Sequence, residues 1–206
     1  MRDEPRRGGR YGERAMVQGR GADKQRRMIE AAAVLLIDEG FEAITHRRVA
    51  DAAGVPQGSA TYYFPTRSSL MATAVRAAED LRAGSAMRRA DALPARRRSA
   101  QDTARELIET FFAPHVDERV VTSRLEPMLS ALRDPALAPI MRDSRPRLLA
   151  ALRVVLDRSG FEYVDDVDLL AYLIDAALLN AAGSGEERVL EFASGVVGRF
   201  LDHYRH

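Results

Sequence analysis

Apolar residues fall at helical spacing almost everywhere from residue 23 onward, and no run of strictly alternating polar and apolar residues occurs. Ile29, Ala32, Ala33, Leu36 and Ile37 make the first stripe, closed by Gly40. Thr45 is a suitable N-cap for a short second helix ending at Gly54. Val55 precedes a proline and leaves the helical region, while Pro56 suits the first position of a third helix that runs to about Phe64 and stops at Pro65. Beyond Leu70 the pattern predicts a long connector helix to about Ala92. Helices over about 96–113, 119–133 with Pro127 inside, and 134–158 with Pro139 and Pro146 as kink points follow. Asp168 to Ala182 is apolar nearly all round and is expected to be buried. Glu186 to Tyr204 carries a wide stripe. The expected fold is all-α with about nine helices. They divide as a basic arm over 1–22, a three-helix unit over 23–70 and a six-helix unit over 71–206.

Helix, glycine-containing turn and helix over 45–64 is the spacing of a helix-turn-helix. Val49, Ala50, Ala53, Val55, Ala60, Tyr63 and Phe64 supply its apolar contacts. Gln57, Gly58, Ser59, Thr61 and Tyr62 remain outside, where a major groove would meet them. Arg47 and Arg48 sit in the first turn of a helix and Arg67 follows the expected cap Thr66, places where the macrodipole disfavours cations unless an anion arrives. Thr45, Arg47, Arg48, Tyr63 and Arg67 are therefore expected near phosphates.

The segment from Asp23 to about Val75 resembles the N-terminal domain of TetR-family transcriptional regulators. The resemblance rests on RRMIEAAAVLLIDEGFEAIT, RRVADAAGV and YYFPTRSSLM. These hold Gly40-Phe41 before Thr45, Ala53 to Val55, the aromatics Tyr62 to Phe64, then Pro65, Arg67 and Leu70. The family usually has an aromatic where Thr61 stands and a bulky aliphatic where Ala60 stands. The resemblance implies a homodimeric, ligand-responsive repressor on a palindromic operator, in which ligand tilts the connector after Leu70.

The chain has 206 residues with no cysteine and no tryptophan, which removes disulfides and thiolate chemistry. No apolar run spans a membrane and no signal-peptide pattern opens the chain, so a cytoplasmic protein is expected. The formal net charge of +1 argues against a protein that coats nucleic acid. Residues 1–70 hold twelve basic and nine acidic side chains, a weak excess at the expected DNA-binding end. Arg2, Arg6, Arg7, Arg10, Arg14 and Arg20 lie in the glycine-rich segment 1–22, which is expected to be disordered when free. Such an arm can enter a minor groove, or is a tail upstream of a start at Met16.

Enzymatic signatures are missing. Gly54 to Ser59 lacks the lysine of a phosphate loop, and Gly183-Ser184-Gly185 lacks the nucleophile-elbow pattern. His46, His115, His203 and His206 form no metal-binding pattern apart from the terminal pair. No cofactor or metal is expected. The six-helix unit instead offers a small-molecule pocket from Phe111, Phe112, His115, Leu125, Met128, Leu129, Leu132, Met141, Leu148, Tyr172, Asp175 and Asn180, for a small, largely apolar effector. Val189, Phe192, Val196, Phe200 and Tyr204, with Gly195 and Gly198 for close approach, form a stripe expected at a two-fold dimer interface. A helical ligand-binding protein with a vestigial helix-turn-helix and an all-α enzyme are the alternatives.

Overall fold

The computed structural model describes residues 9–117 and 121–204. Among these the chain forms nine α-helices and no strand: α1 Gly9–Glu39, α2 His46–Ala52, α3 Gln57–Tyr63, α4 Arg67–Ala92, α5 Ala100–Phe112, α6 Val121–Ser130, α7 Leu137–Ser159, α8 Val167–Gly183 and α9 Val189–Asp202. Local chemistry sets most boundaries. Thr45 accepts from the Arg48 amide, Ser99 from Asp102 and Asp166 from Leu169 at the starts of α2, α5 and α8. Thr66 and Ser69 form a reciprocal capping box at the start of α4. Gly40 and Gly160 end α1 and α7 with φ of 79° and 83°, a region that suits glycine.

Three expectations need correcting. The segment 1–22 is not disordered throughout, because α1 already begins at Gly9, and residues 1–8 lie outside the described residues. Once residues 23–39 have nucleated a helix, adding further turns through Arg, Glu, Ala, Met and Gln costs little, even with glycines between them. Pro56 is the N-cap of α3 rather than its first residue, with ψ of 139°. α7 starts at Leu137, since Asp134 folds its carboxylate onto the Ala136 amide and makes a turn first; Pro139 then falls in the first turn, and only Pro146 is interior.

Two cores result. The N-terminal one gathers Met28, Leu36, Ile44, Val49, Ala60 and Phe64 with Leu70, Ala74, Val75 and Ala78 of α4, and takes Leu137 and Ile140 from α7. The C-terminal one is built from α5, α7, α8 and α9 around Leu107, Ile108, Leu152, Leu156, Leu170, Ile174 and Val197. The division expected at residue 70 therefore falls inside α4, whose single rod joins both cores.

Candidate functional site

Two places carry the chemistry: an exposed face on α3 and a cavity beside α4.

On α3, only Ala60 is buried among its seven residues, and it faces α2. Gln57, Gly58, Thr61 and Tyr62 are exposed, and their spacing of three to four puts them on one side. Tyr62 is 78% exposed and stands edge-on to Tyr63, with ring centroids 5.1 Å apart. Ser59 is half-buried at the margin. Around this face Arg47 lies 3.8 Å from Asp51, Arg48 pairs with Glu39 at 2.6 Å, and exposed Arg67 at the start of α4 forms no ion pair among the described residues. Two further groups brace the unit. The Tyr63 hydroxyl donates to the Gly21 carbonyl at 3.0 Å, so this donor serves the α1–α3 contact, and a Cβ at position 21 would stand 2.9 Å from that oxygen. His46 Nε2 meets the Phe64 carbonyl at 2.7 Å, a tie between the ends of the two helices that spacing alone did not indicate.

The cavity has a volume of about 190 Å³ and is lined by Glu79 of α4, Phe111 of α5, Arg124 and Met128 of α6, Met141, Arg142, Ser144, Arg145 and Leu148 of α7, and Asp175 of α8. Of the pocket residues expected from sequence, Phe111, Met128, Met141, Leu148 and Asp175 are in its wall. Leu125 is buried in the C-terminal core instead, and Leu129 and Leu132 point outward from α6 and the turn after it. His115 is exposed and lies 3.3 Å from Asp38 of α1. Tyr172 and Asn180 are exposed on α8, because that helix is not apolar on its buried side alone: Leu169, Tyr172 and Leu179 form an outward stripe. Tyr172 reaches the pocket indirectly, its ring 4.2 Å from the Arg145 guanidinium.

Sequence reasoning missed the charged members. Glu79 and Arg82, one turn apart on α4, are buried and joined at 2.9 Å. Ser144 donates to Glu79 at 3.2 Å, and Arg124 lies 3.7 Å from the same carboxylate and 4.5 Å above the Phe111 ring. Burial pushes the Glu79 carboxyl upward, but the neighbouring guanidiniums of Arg124 and Arg82 and the bonds from Arg82 and Ser144 outweigh it and hold it below the ordinary carboxylate range. Asp175 is raised instead, chiefly by burial, with Arg124 and Arg145 opposing. Arg145 spans Asp168 at 3.1 Å and Asp175 at 3.5 Å. The signal for Glu79 and Arg82 was present, since both continue the inward stripe of Met71, Val75 and Ala78.

α6 links the cavity to the reading unit. Arg124 and Met128 face the cavity, while Glu126 accepts the Phe41 amide at 3.0 Å in the 3-10 turn ahead of α2.

On the dimer stripe, Phe192 and Tyr204 are exposed, and Val196 and Phe200 are half-buried against the C-terminal core. Val189 is buried and belongs to the interior, since it opens α9 against α5 and α8. Gly198 is also an inward residue, where a Cβ would stand 2.4 Å from the Gln101 side chain of α5. No group of three or more acidic or histidine side chains among the described residues could hold a metal ion, and no described helix is long and apolar enough to cross a membrane.

A helix-turn-helix joined by one continuous helix to a cavity-bearing helical unit defines a ligand-responsive DNA-binding regulator. Residues 28–74 match the model of bacterial regulatory proteins of the tetR family, and residues 95–203 match that of the tetracyclin repressor-like C-terminal domain. The chain belongs to the TetR family of transcriptional regulators. Among solved structures it is similar to the multidrug binding protein EbrR complexed with proflavin, at 29% identity and a TM-score of 0.61, over 85% of this chain and 98% of that one. It is also similar to a TetR regulator from Streptomyces coelicolor A3 (26%, TM-score 0.53, over 85% and 96%). A third is a TetR-family regulator from Mesorhizobium loti MAFF303099 (21%, TM-score 0.62, over 89% and 98%), a likeness of fold alone. No curated protein matches the chain.

Proposed function

We propose that this regulator is a cytoplasmic homodimeric repressor that binds a palindromic operator through Gln57, Ser59, Thr61 and Tyr62 and is released when a small molecule fills the cavity. The observation that carries this reading is α4. Its capped end at Thr66 follows the reading helix directly, and its middle supplies Glu79 to the cavity wall. Ligand acts only by the difference in its affinity for the two arrangements of that rod. EbrR is described in complex with proflavin, ethidium and imidazole, which supports a small-molecule site in this chain as well.

Arg47, Arg48 and Arg67 surround the α3 face, where they would hold phosphates and fix its register on the duplex. Leu169, Tyr172 and Leu179 of α8 and Phe192, Val196, Phe200 and Tyr204 of α9 would meet their copies across a two-fold axis. Such pairing spaces two reading heads for two half-sites about one helical turn of DNA apart.

Gel retardation with the DNA flanking the protein's own gene tests the proposal, with the dimer confirmed by light scattering. A salt-dependent shift that survives excess unrelated duplex is the expected result. Equal affinity for unrelated DNA, or none, would favour a helical ligand-binding protein with an idle helix-turn-helix.

A further inference from the structure

We infer that the effector is a small organic acid: one carboxylate held between Arg124 and Arg145, on a ring-sized apolar body against Phe111, Met128, Met141 and Leu148. The inference rests on the proposed function only in taking the cavity as the effector site.

Arg124 Nε and Arg145 Nη2 are buried, belong to residues of the cavity wall, and have no hydrogen-bond partner. Both are donors, and only an acceptor satisfies them. Among the described residues, the carboxylates at this wall are already engaged. Glu79 takes Arg82 and Ser144, while Asp175 and Asp168 take the Nη1 and Nε sides of Arg145. Buried donors without partners cost about 1–3 kcal/mol each.

Three classes of ligand can be compared against this wall. An apolar molecule would leave both donors without partners. An ammonium or amidinium would meet the wall carboxylates Glu79 and Asp175, but these already face guanidiniums, and the three arginines of the wall, Arg124, Arg142 and Arg145, outnumber them and would repel it. A carboxylate brings two oxygens to two guanidinium edges, the pairing that gives short charge-assisted bonds. The expected largely apolar effector thus keeps its apolar body and acquires an anionic head. Size narrows the class further. A cavity of about 150 Å³ accepts benzene, so about 190 Å³ here is room for one ring and a carboxylate.

Benzoate, benzamide and benzamidine share a shape and carry different charge, which makes them suitable probes for calorimetry on the full chain without DNA. Benzoate should bind at least about tenfold more tightly than benzamide, and benzamidine more weakly than either. Arg145→Gln and, separately, Arg124→Lys should each weaken benzoate by about tenfold while changing benzamide by less than about threefold. The wild-type series decides the matter even where a variant folds poorly. Equal affinity for all three, a preference for benzamidine, or no binding of benzoate at about 10 mM would overturn the inference. Operator retardation without ligand is read separately. A chain that shifts DNA yet favours benzamidine refutes the acid alone, whereas one that selects benzoate and ignores DNA refutes the regulator alone.

Discussion

Replacing Glu79 with glutamine removes one charge from the cavity wall at nearly constant volume. Glu79 lies 2.9 Å from Arg82 and 3.7 Å from Arg124, with all three side chains largely shielded from water. Glutamine can still accept from Ser144, so the packing and that hydrogen bond survive. The Arg82 and Arg124 guanidiniums then lose the negative charge they share. Breaking a buried pair from one side costs about 3–5 kcal/mol, because the remaining charge stays desolvated. For a chain of this size each kcal/mol shifts the melting temperature by about 2–4 °C, so Glu79→Gln should melt about 6–20 °C lower. Calorimetry at matched protein concentration measures this, concentration mattering because dimerisation adds to apparent stability. The double variant Glu79→Gln, Arg82→Met should recover at least half the loss, since it removes one of the two cations that shared the lost charge. The pH dependence has a definite sign. Glu79 is held below its unfolded value, so its contribution is complete above the ordinary carboxylate range and disappears as acidification carries the pH beneath that range. A melting temperature for Glu79→Gln within about 2 °C of wild type would show that these charges are solvated and that the buried network is misread.

Arg67→Ala should weaken binding to all duplexes alike and lower the slope of log affinity against log salt by about one, whereas Gln57→Ala should relax preference at particular bases; a uniform loss for Gln57→Ala would remove its reading role. Phe192→Glu with Val196→Glu should give monomers by light scattering and loss of operator binding together, and a persistent dimer would place the interface elsewhere. Glu126→Ala removes the acceptor of the Phe41 amide and should leave benzoate affinity within about threefold while shrinking the effect of benzoate on operator affinity; an unchanged ratio of operator affinities would show that α6 carries no coupling. Asp175→Asn should melt no lower than wild type at neutral pH. The raised carboxyl binds its proton more readily in the folded state, so its favourable effect is greatest at low pH and fades as pH rises through the elevated folded value.

The reading unit is visible in the sequence because its determinants are local. A threonine cap, a glycine turn and two prolines act over three or four residues and need no knowledge of what packs on them. The stripe on α9 was equally plain, yet Val189 and Val196 look alike in sequence, and only the crossing with α5 and α8 decides that the first is interior. The cavity was half visible. Phe111, Met128, Met141 and Leu148 announce themselves as apolar bulk, and Glu79 continues the inward stripe of α4, but Arg124 and Arg145 resemble the solvated charges of any arginine-rich helix. Their burial depends on three helices meeting, which spacing along one of them does not encode. Tyr172 and Asn180 were misplaced for the converse reason, since a helix apolar on both sides does not tell which side the fold will leave open.

The capped start of α4 and its buried carboxylate also stand in a fixed mechanical ratio. Thr66 and Glu79 are separated by about 20 Å of helix at 1.5 Å per residue. Pivoting this rod near the cavity by ten degrees swings its DNA-side end through about 3.5 Å, close to the rise of one base-pair step, 3.4 Å per residue of a strand. The length of the rod thus converts a small turn at the cavity into a shift of about one base-pair step at its capped end.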